Sequence, residues 1–247
     1  MVEIDLDSLA VAYRHRPLTV AGEARAGAAA DAAGLGAGSV ALDVGGGWGD
    51  HAAVFAGRGS MAVVLDRSPA MVGGATGAGR FAIVGEAMCL PIADARCDLV
   101  YFHLSLHYVD WGRALDEAWR VCRPGGTIWV WTFRPEHHRQ SFLARWFPSV
   151  GGIDESRFPD PAEMGARLGA GGASVVVLSD APERVVRTAS DWRRAVEAGF
   201  VSTLQVVPGE EIETGLRRFD DAHPDPEGLL EYELLFCSVS AAKPGLG

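Results

Sequence analysis

A glycine-rich segment that follows a short apolar run is the part of the sequence best suited to chemistry. The run 40–44 carries Asp43 near its end, and residues 45–49 read Gly-Gly-Gly-Trp-Gly before a helix-compatible stretch. Glycines let the backbone turn tightly and come close to a ligand. Amides at the start of the following helix are able to donate hydrogen bonds to that ligand. The pattern predicts a nucleotide-type cofactor site at the edge of a parallel sheet.

The spacing of the glycines separates two kinds of cofactor. A dinucleotide-binding loop has the pattern G-x-G-x-x-G. Here the glycines at 45, 47 and 49 give G-x-G-x-G instead. The spacing therefore favours a nucleotide-type cofactor other than a dinucleotide.

Acidic side chains and a second glycine turn follow at later points of the chain. Asp66 ends the apolar run 61–66, and Glu86 lies in the segment Gly-Glu-Ala-Met-Cys-Leu-Pro at 85–91. A carboxylate at the end of a strand can accept hydrogen bonds from two neighbouring hydroxyl groups at once. The fourth element, Arg-Val-Cys-Arg-Pro-Gly-Gly at 120–126, precedes a further apolar run.

Taken in order, these four elements resemble the motifs of the class I S-adenosylmethionine (SAM)-dependent methyltransferases, in particular small-molecule enzymes of the methyltransferase type 11 kind. The resemblance implies an α/β fold, with a Rossmann-like seven-stranded sheet whose last strand is antiparallel, flanking helices and helical lid insertions. It implies a single domain over 1–247, with insertions at about 134–160 and 182–228. It also implies SAM as the cofactor and S-adenosylhomocysteine as its product.

The resemblance assigns roles to individual residues. Asp66 would hold the ribose hydroxyls, Glu86 and the amide after it would face the adenine, and Arg67 would pack on the same ring. The residues assigned to the cofactor are Tyr13, Arg16, Asp43, Gly45, Gly46, Gly47, Asp66, Arg67, Glu86, Ala87, Met88 and His103.

Tyr13 and Arg16 lie in the segment Tyr-Arg-His-Arg-Pro at 13–17, which resembles a Y-x-x-R-P element of many small-molecule methyltransferases. In such relatives the Tyr and the Arg close over the cofactor, so Arg16 would pair with the cofactor carboxylate. A solvated, basic helix end is the alternative reading of Arg16, because a cation is favourable at a helix C-terminus.

Histidines mark the segment after the fourth predicted strand, 98–102. Ligands bind beyond the carboxyl ends of parallel strands, so His103 is the residue best placed to contact cofactor or substrate. His103 and His107 are both candidate general bases, and the resemblance also allows a structural role for His107. His51, in the helix after the glycine loop, is more typical of a surface or packed residue.

Two features depart from the family pattern. Trp48 occupies a loop position where the family usually has a small residue, and it either covers one side of the cofactor or packs on a neighbouring helix. Glycines at 73, 74, 77 and 79 predict a weak helix after the second strand.

Two insertions surround the expected acceptor site. Residues 134–160 carry several aromatic and histidine side chains, which either line an acceptor pocket or form a small satellite core. The insertion 182–228 has helix candidates after Ser190 and after Pro208. It resembles a lid, which excludes water and sets the shape of the substrate.

The helices and strands are predicted from hydrophobic periodicity, from capping residues and from Gly and Pro at element ends. Helices are predicted at 5–14, 19–33, 50–56, 110–122 and 160–169, and strands at 40–44, 61–66, 81–84, 98–102, 127–131, 174–178 and 231–240.

The amino-acid composition and net charge indicate which kinds of binding partner to expect. The 247 residues are 48% apolar and carry a formal net charge of −10, which predicts a globular chain and disfavours contact with nucleic acid or an anionic membrane surface. The first residues lack the layout of a signal peptide. Four dispersed cysteines predict reduced thiols in a cytoplasmic protein rather than a zinc site. We expect no metal ion, and a monomer or a homodimer.

The expected reaction is in-line transfer of the SAM methyl group to a small-molecule acceptor, achieved mainly by positioning. A base is needed only where an acceptor hydroxyl or acidic carbon loses a proton. The segment after the fourth strand lacks the N-P-P-Y of many relatives that methylate nucleobase or amide nitrogen, which favours O, C or other N acceptors of a secondary-metabolite type. Two alternatives remain: a non-methylating reaction on the same fold, such as a cyclisation or rearrangement, and a non-catalytic SAM-binding module.

Overall fold

The computed structural model describes residues 4–14, 18–76 and 80–245. The predicted cofactor residue Arg16 lies outside these segments. The described residues form a central sheet with helices on both faces and a further group of helices beside one end of it.

All the strands of the described segments belong to one sheet. In chain order they are β1 (Val40–Val44), β2 (Met61–Asp66), β3 (Arg80–Val84), β4 (Cys97–His103), β5 (Cys122–Phe133), β6 (Val175–Thr188) and β7 (Leu229–Ala242). Their spatial order is β3-β2-β1-β4-β5-β7-β6. The first five strands are parallel, and β7 is antiparallel to both of its neighbours. The predicted seven-stranded sheet with an antiparallel last strand is confirmed.

The sixth strand is longer than the sequence predicts. It continues to Thr188, which pairs with Leu229 at the far end of β7. Residues 182–188 therefore belong to the sheet, and the insertion predicted at 182–228 begins too early. Pro182 is tolerated because β6 is an edge strand, where a residue without a backbone donor can face away from the sheet.

The helices of the described segments include all the predicted ones, and three more form within 134–160, where the sequence predicts no individual helix. They are α1 (Leu6–Arg14), α2 (Val20–Ala32), α3 (Asp50–Gly57), α4 (Pro69–Val72), α5 (Trp111–Val121), α6 (Pro135–Gln140), α7 (Phe142–Trp146), α8 (Ser149–Arg157), α9 (Pro161–Ala170), α10 (Ala189–Glu197) and α11 (Gly209–Ala222). The four-residue α4 is the weak helix that its glycines predict. None of these helices combines the length and the apolar character that crossing a membrane requires.

Side-chain caps explain where two of the core helices begin. The hydroxyl of Thr19 accepts a hydrogen bond from the Gly22 amide at 2.9 Å before α2. The carboxylate of Asp110 accepts from the Arg113 amide at 3.1 Å before α5. Such caps satisfy amides that have no partner inside the helix.

The two faces of the sheet have separate apolar cores. Strand β1 shows the division, since Ala41 packs with α2 and α3, whereas Leu42 and Val44 pack with α5 and α9. Side chains alternate between the faces of a strand. A strand covered on both faces therefore reads as a continuous apolar run, which is why β1 is visible in the sequence.

A third apolar cluster holds together the helices α7, α8, α10 and α11, called the lid from here on. Phe147, Trp192 and Phe219 are its largest fully buried side chains. The lid therefore has a core of its own, distinct from the two cores of the sheet.

The helix α1 packs on the loops that follow β1 and β2. Leu9 and Ala10 are buried in one cluster with Met71. The indole Nε1 of Trp48 donates to the Ala10 carbonyl at 3.3 Å. These contacts place α1 over the edge of the sheet where the glycine loop lies.

Candidate functional site

The glycine loop between β1 and α3 packs against the loop that follows β4. Gly45 has φ = +70°, a left-handed conformation that glycine adopts without strain. A Cβ atom built on Gly45 would lie 2.5 Å from the Cβ of Ser105. The Ser105 hydroxyl donates to the Val44 carbonyl at 2.8 Å. Any larger residue at 45 would push the two loops apart.

The amides of the glycine loop are used within the protein. Gly45 donates to the Leu65 carbonyl at 2.7 Å, and Gly47 donates to Oδ2 of Asp66 at 3.0 Å. Both bonds join the loop to the end of β2. They hold the loop and the Asp66 carboxylate in place. The loop therefore offers a ligand a close approach to its backbone rather than these two amide donors.

Asp66 lies at the end of β2, where the sequence predicts a carboxylate for ribose hydroxyls. Its two oxygens accept separately, Oδ2 from Gly47 and Oδ1 from the Ser68 amide at 2.9 Å. Burial raises the pKa of Asp66, while the two amide hydrogen bonds act in the opposite direction. The side chain lines the cavity, and each carboxylate oxygen keeps a second lone pair with which to accept.

Asp43 lies beneath the glycine loop and does not line the cavity. It is 1% exposed, and a Cβ atom built on Gly46 would lie 2.6 Å from its carboxylate carbon. Burial, and then the charge of Asp66, raise its pKa to about 7, although the Ala52 amide lowers it. Asp43 is therefore placed to support the loop from below.

Three of the cofactor residues predicted around the adenine line the cavity, namely Arg67, Glu86 and Ala87. The fourth predicted cofactor residue of this region, Met88, does not line it. Glu86 and Arg67 are exposed, and the Arg67 guanidinium donates to the Ile4 carbonyl at 3.4 Å. This part of the cavity is therefore the most open to solvent.

Tyr13 also lines the cavity, from the side of α1. Its hydroxyl forms a hydrogen bond with Tyr108, which is also hydrogen-bonded to Ser202 in the segment between α10 and α11. Tyr13 thus joins the N-terminal helix to the loop after β4, in keeping with a residue that closes over a bound molecule.

His103 is the last residue of β4 and lines the cavity. Its ring centroid lies 4.4 Å from that of His51 and 5.7 Å from that of Phe236. The next residue, Leu104, has φ = +50°, which is uncommon for a residue with a side chain and is typical of a functional loop. The backbone thus turns sharply directly after His103.

His107 lies in the short 3-10 turn Leu106–Tyr108 and also lines the cavity. Its ring stacks on Phe158, with the centroids 4.0 Å apart. Burial, and then the charge of Arg157, hold the pKa of His107 well below its usual range. His107 is therefore a neutral, tightly packed ring at physiological pH.

One cavity of about 1030 Å³ connects these positions with the lid. It extends from the glycine loop, Asp66 and Glu86 past His103 to residues of the lid and of β7. Its far part is lined mainly by rings, namely Phe133, His137, Phe142, Phe158, Trp192, Phe200, Tyr232 and Phe236. Cavities of this size and aromatic lining are typical of small-molecule sites.

The aromatic insertion 134–160 contributes both to the cavity lining and to a satellite core. His137 and Phe142 line the cavity. Trp146 and Phe147 are buried in the core of the lid instead. The satellite core therefore positions the rings that face the cavity.

The cavity wall holds a buried ion pair that is not predicted from the sequence. Arg25 of α2 donates to Glu183 of β6 at 2.7 Å, and its guanidinium lies 3.9 Å from the ring centroid of Phe236. The signal for it is a lone Arg between Ala24 and Ala26 on the apolar side of a helix. A charged residue there needs a buried partner.

The donor set of the cavity's near end fits SAM. Gly45 and Gly46 let the loop pack closely on Ser105 and Asp43, and Asp66 presents carboxylate oxygens with lone pairs at the cavity wall. Vicinal hydroxyls are the groups that such a carboxylate binds best. Within the described segments, no three His, Cys, Asp or Glu side chains gather as a metal site would require.

Comparisons with known proteins agree with this geometry. A protein-family model described as a methyltransferase domain matches residues 42–130, which span the glycine loop, Asp66, Glu86 and His103. The chain is 36% identical over 98 residues to an uncharacterized methyltransferase of Mycobacterium bovis. That match covers 38% of this chain and 40% of the relative, so it spans well under half of either protein.

Solved structures are similar to the whole described fold. Phosphoethanolamine N-methyltransferase 2 of Haemonchus contortus, solved with phosphomonomethylethanolamine and S-adenosylhomocysteine, has a TM-score of 0.63 at 15% identity, over 96% of this chain and 57% of that one. The 4+2 cyclase SpnF has a TM-score of 0.57 at 19% identity, over 94% of this chain and 85% of that one. At such identities the similarity concerns the fold alone.

Proposed function

We propose, from the class I SAM-dependent methyltransferase domain that residues 42–130 form, that this protein transfers the SAM methyl group to a small-molecule acceptor. The acceptor atom is an O, a C or an N that is neither in a nucleobase nor in an amide. The observation that carries the proposal is the single cavity that joins the cofactor residues of the domain to a ring-lined pocket under the lid.

The near end of that cavity is assigned to the cofactor. Asp66 would accept from the ribose hydroxyls, and Glu86 with Ala87 would border the adenine, where Arg67 is exposed and lines the wall. Tyr13 would cover the cofactor from α1. When bound, SAM supplies an electrophilic methyl group on a sulfonium, which needs no metal and no redox partner.

The far end of the cavity is assigned to the acceptor. Its rings and the lid exclude water and hold the acceptor at one orientation, which is the main source of rate in a displacement between two bound molecules. The lid core of Trp192, Phe147 and Phe219 supports this by making the pocket wall rigid.

A proton acceptor is required only for a hydroxyl or acidic carbon. We assign that role to His103 because it lies at the carboxyl end of β4, directly before the strained residue Leu104. His107 is a weaker candidate, since its buried ring stacks on Phe158 and its pKa is held well below the usual range. Its packing supports a structural role.

A non-methylating reaction is the second candidate. The similarity to the 4+2 cyclase SpnF over 94% of this chain supports it, because it extends over the lid as well as the core. In that case the cofactor would serve as a structural or electrostatic element of the same cavity.

Calorimetric titration of the full chain with SAM and, separately, with NAD tests the cofactor assignment. We expect micromolar binding of SAM, an affinity of about 8 kcal/mol, and none of NAD. An acceptor screen read by mass spectrometry then separates the two candidates. A product heavier by one methyl group supports transfer, and a product of unchanged mass supports the non-methylating reaction. A chain that binds neither SAM nor any acceptor would contradict both.

A further inference from the structure

Six rings line the cavity in an unbroken series of contacts, called here the ring belt. Consecutive centroids along it are separated by 4.4, 5.7, 4.6, 5.8 and 4.0 Å. A continuous band of rings favours a flat, apolar partner, since ring pairs gain from edge and stacked contacts beyond the area they bury. In order, the ring belt consists of His51, His103, Phe236, Phe133, Phe158 and His107.

Two of the carboxylates that line the cavity are engaged by neighbours, one at each end of the ring belt. At one end Arg25 pairs with Glu183 at 2.7 Å, and both side chains are nearly buried. At the other end the Thr203 hydroxyl donates to Asp154 at 2.5 Å, and Arg157 donates to the same hydroxyl at 3.3 Å. A charged acceptor seated between these groups would leave water without gaining a partner from either of them, which is costly. The ring belt therefore favours an uncharged acceptor.

His51 provides a polar group at the Arg25 end of the ring belt. Its Nε2 is buried and has no hydrogen-bond partner in the part of the chain that the structure describes, whereas Nδ1 is not enclosed in this way. The ring contacts Tyr101 and His103 and lines the cavity. Burial, and then the Arg25 guanidinium, lower the pKa of His51 to about 4, so the ring is neutral at physiological pH.

A neutral imidazole carries a single N–H. With that N–H on Nδ1, the ring nitrogen that is not enclosed, His51 would offer the cavity a hydrogen-bond donor that the proposed reaction does not otherwise use.

We propose that the acceptor is an uncharged, planar aromatic molecule that lies against the ring belt and accepts a hydrogen bond from His51 through an oxygen substituent. This inference rests on the proposed function and specifies its substrate class. His51 acts here as a specificity-determining residue. His103, the last residue of β4, remains the proposed proton acceptor.

Binding of three matched probes to the full chain tests the inference without any turnover. The probes are naphthalene, 2-naphthol and 2-naphthoate, which share a ring system and differ in one substituent. We expect 2-naphthol to bind about 3–10-fold more tightly than naphthalene, the gain of one net hydrogen bond. The anionic 2-naphthoate should bind most weakly, since a charge held against the ring belt loses its hydration.

Three variants identify the residues responsible. His51→Phe keeps a ring against His103 and removes the donor, so 2-naphthol and naphthalene should bind equally. Phe133→Leu should weaken both by a similar factor of about 2–10, because it removes a stacking ring. His138→Phe is the control, since His138 is a buried histidine outside the cavity lining, and it should keep the hydroxyl preference.

Tighter binding of 2-naphthoate than of 2-naphthol would overturn the inference, and so would a hydroxyl preference that survives in His51→Phe. A loss of SAM affinity in His51→Phe with unchanged probe binding would instead assign the residue to the cofactor, which also overturns it. SAM binding to the wild-type chain is measured alongside. The expected probe pattern in a chain that does not bind SAM would contradict the proposed function, and with it the acceptor role, while keeping the ring belt and His51 as a binding site for an uncharged aromatic molecule.

Discussion

The indole of Trp48 lies so close to the backbone of Gly74 that a Cβ atom built on Gly74 would overlap the ring. Two departures from the family pattern are therefore one feature, because the glycine that weakens the segment after β2 makes room for the large residue in the loop after β1. Trp48 packs with Leu9 and Met71 and also lines the cavity. Of the two alternatives that the sequence leaves open for Trp48, packing on a neighbouring helix is observed, and covering the cofactor stays a prediction.

Gly74→Ala should destabilise the protein by about 1–3 kcal/mol, because the new methyl group forces the indole of Trp48 out of its place. Urea unfolding measures the change. Gly73→Ala is the matched control, since a Cβ atom built there meets nothing closer than the Pro69 carbonyl at 3.5 Å, and its effect should stay within about 1 kcal/mol. Trp48→Leu should rescue part of the Gly74→Ala loss. Equal effects of the two glycine substitutions would show that the contact with Trp48 is unimportant.

Asp66→Ala should weaken SAM binding by about 1–3 kcal/mol, because the ribose hydroxyls lose their acceptor. The same substitution also frees the Gly47 and Ser68 amides, so thermal unfolding is measured in parallel with calorimetry. Asp221→Ala, an exposed carboxylate on α11, should leave the affinity for SAM unchanged. An unaltered SAM affinity in Asp66→Ala would remove Asp66 from the site.

Asp43 should make the fold less stable as the pH rises. Its pKa in the folded state is raised to about 7, so between the ordinary Asp value and that pKa the native state holds a proton that the unfolded state has lost. Stability therefore falls with rising pH by up to about 1.4 kcal/mol per unit. Asp43→Asn stays neutral and should show a smaller fall in unfolding free energy between about pH 5 and about pH 8. Parallel pH profiles of the two proteins would contradict this account.

Glu183→Gln should cost about 3–5 kcal/mol of unfolding free energy, because it leaves the Arg25 guanidinium buried without its carboxylate. The double variant Arg25→Met with Glu183→Leu should be much closer to the wild type, since no charge is left unpaired. The neighbouring pair Arg184–Glu231 is exposed and joins β6 to β7, so Glu231→Gln should change stability by less than about 1 kcal/mol. Similar losses for both pairs would rule out burial as the cause.

His103→Ala should reduce turnover by about 10²–10⁴-fold for an acceptor that loses a proton, with a much smaller effect on SAM affinity. Steady-state kinetics with saturating acceptor and calorimetry with SAM separate the two quantities. An acceptor that needs no proton loss should show little change. Full turnover of a hydroxyl acceptor by His103→Ala would exclude His103 as the proton acceptor.

The core of the fold is predictable because its strands are apolar runs that end in chemically distinctive residues. Asp43, Asp66 and His103 each mark the last or nearly last position of a parallel strand, and the topology brings all three to one edge. The local sequence therefore predicts both each strand and the functional residue at its carboxyl end.

The far part of the cavity is harder to predict from the sequence because its contacts join distant parts of the chain. Arg25 and Glu183 are 158 positions apart, and each has an ordinary local context. The extension of β6 was hidden by Pro182, which only an edge strand tolerates. Which rings of 134–160 face the cavity depends on packing against helices far along the chain, and no local pattern encodes that.

The pairing of Thr188 with Leu229 means that residues 189–228 leave the sheet and return to it at points only about 5 Å apart. Topologically, this segment is a cassette inserted at the tip of a hairpin. It can be exchanged for another sequence without cutting a strand, provided that its packing against α7 and its hydrogen bond to Tyr108 are rebuilt. If the acceptor binds as proposed, a graft at this junction should change acceptor choice while keeping the glycine loop and Asp66.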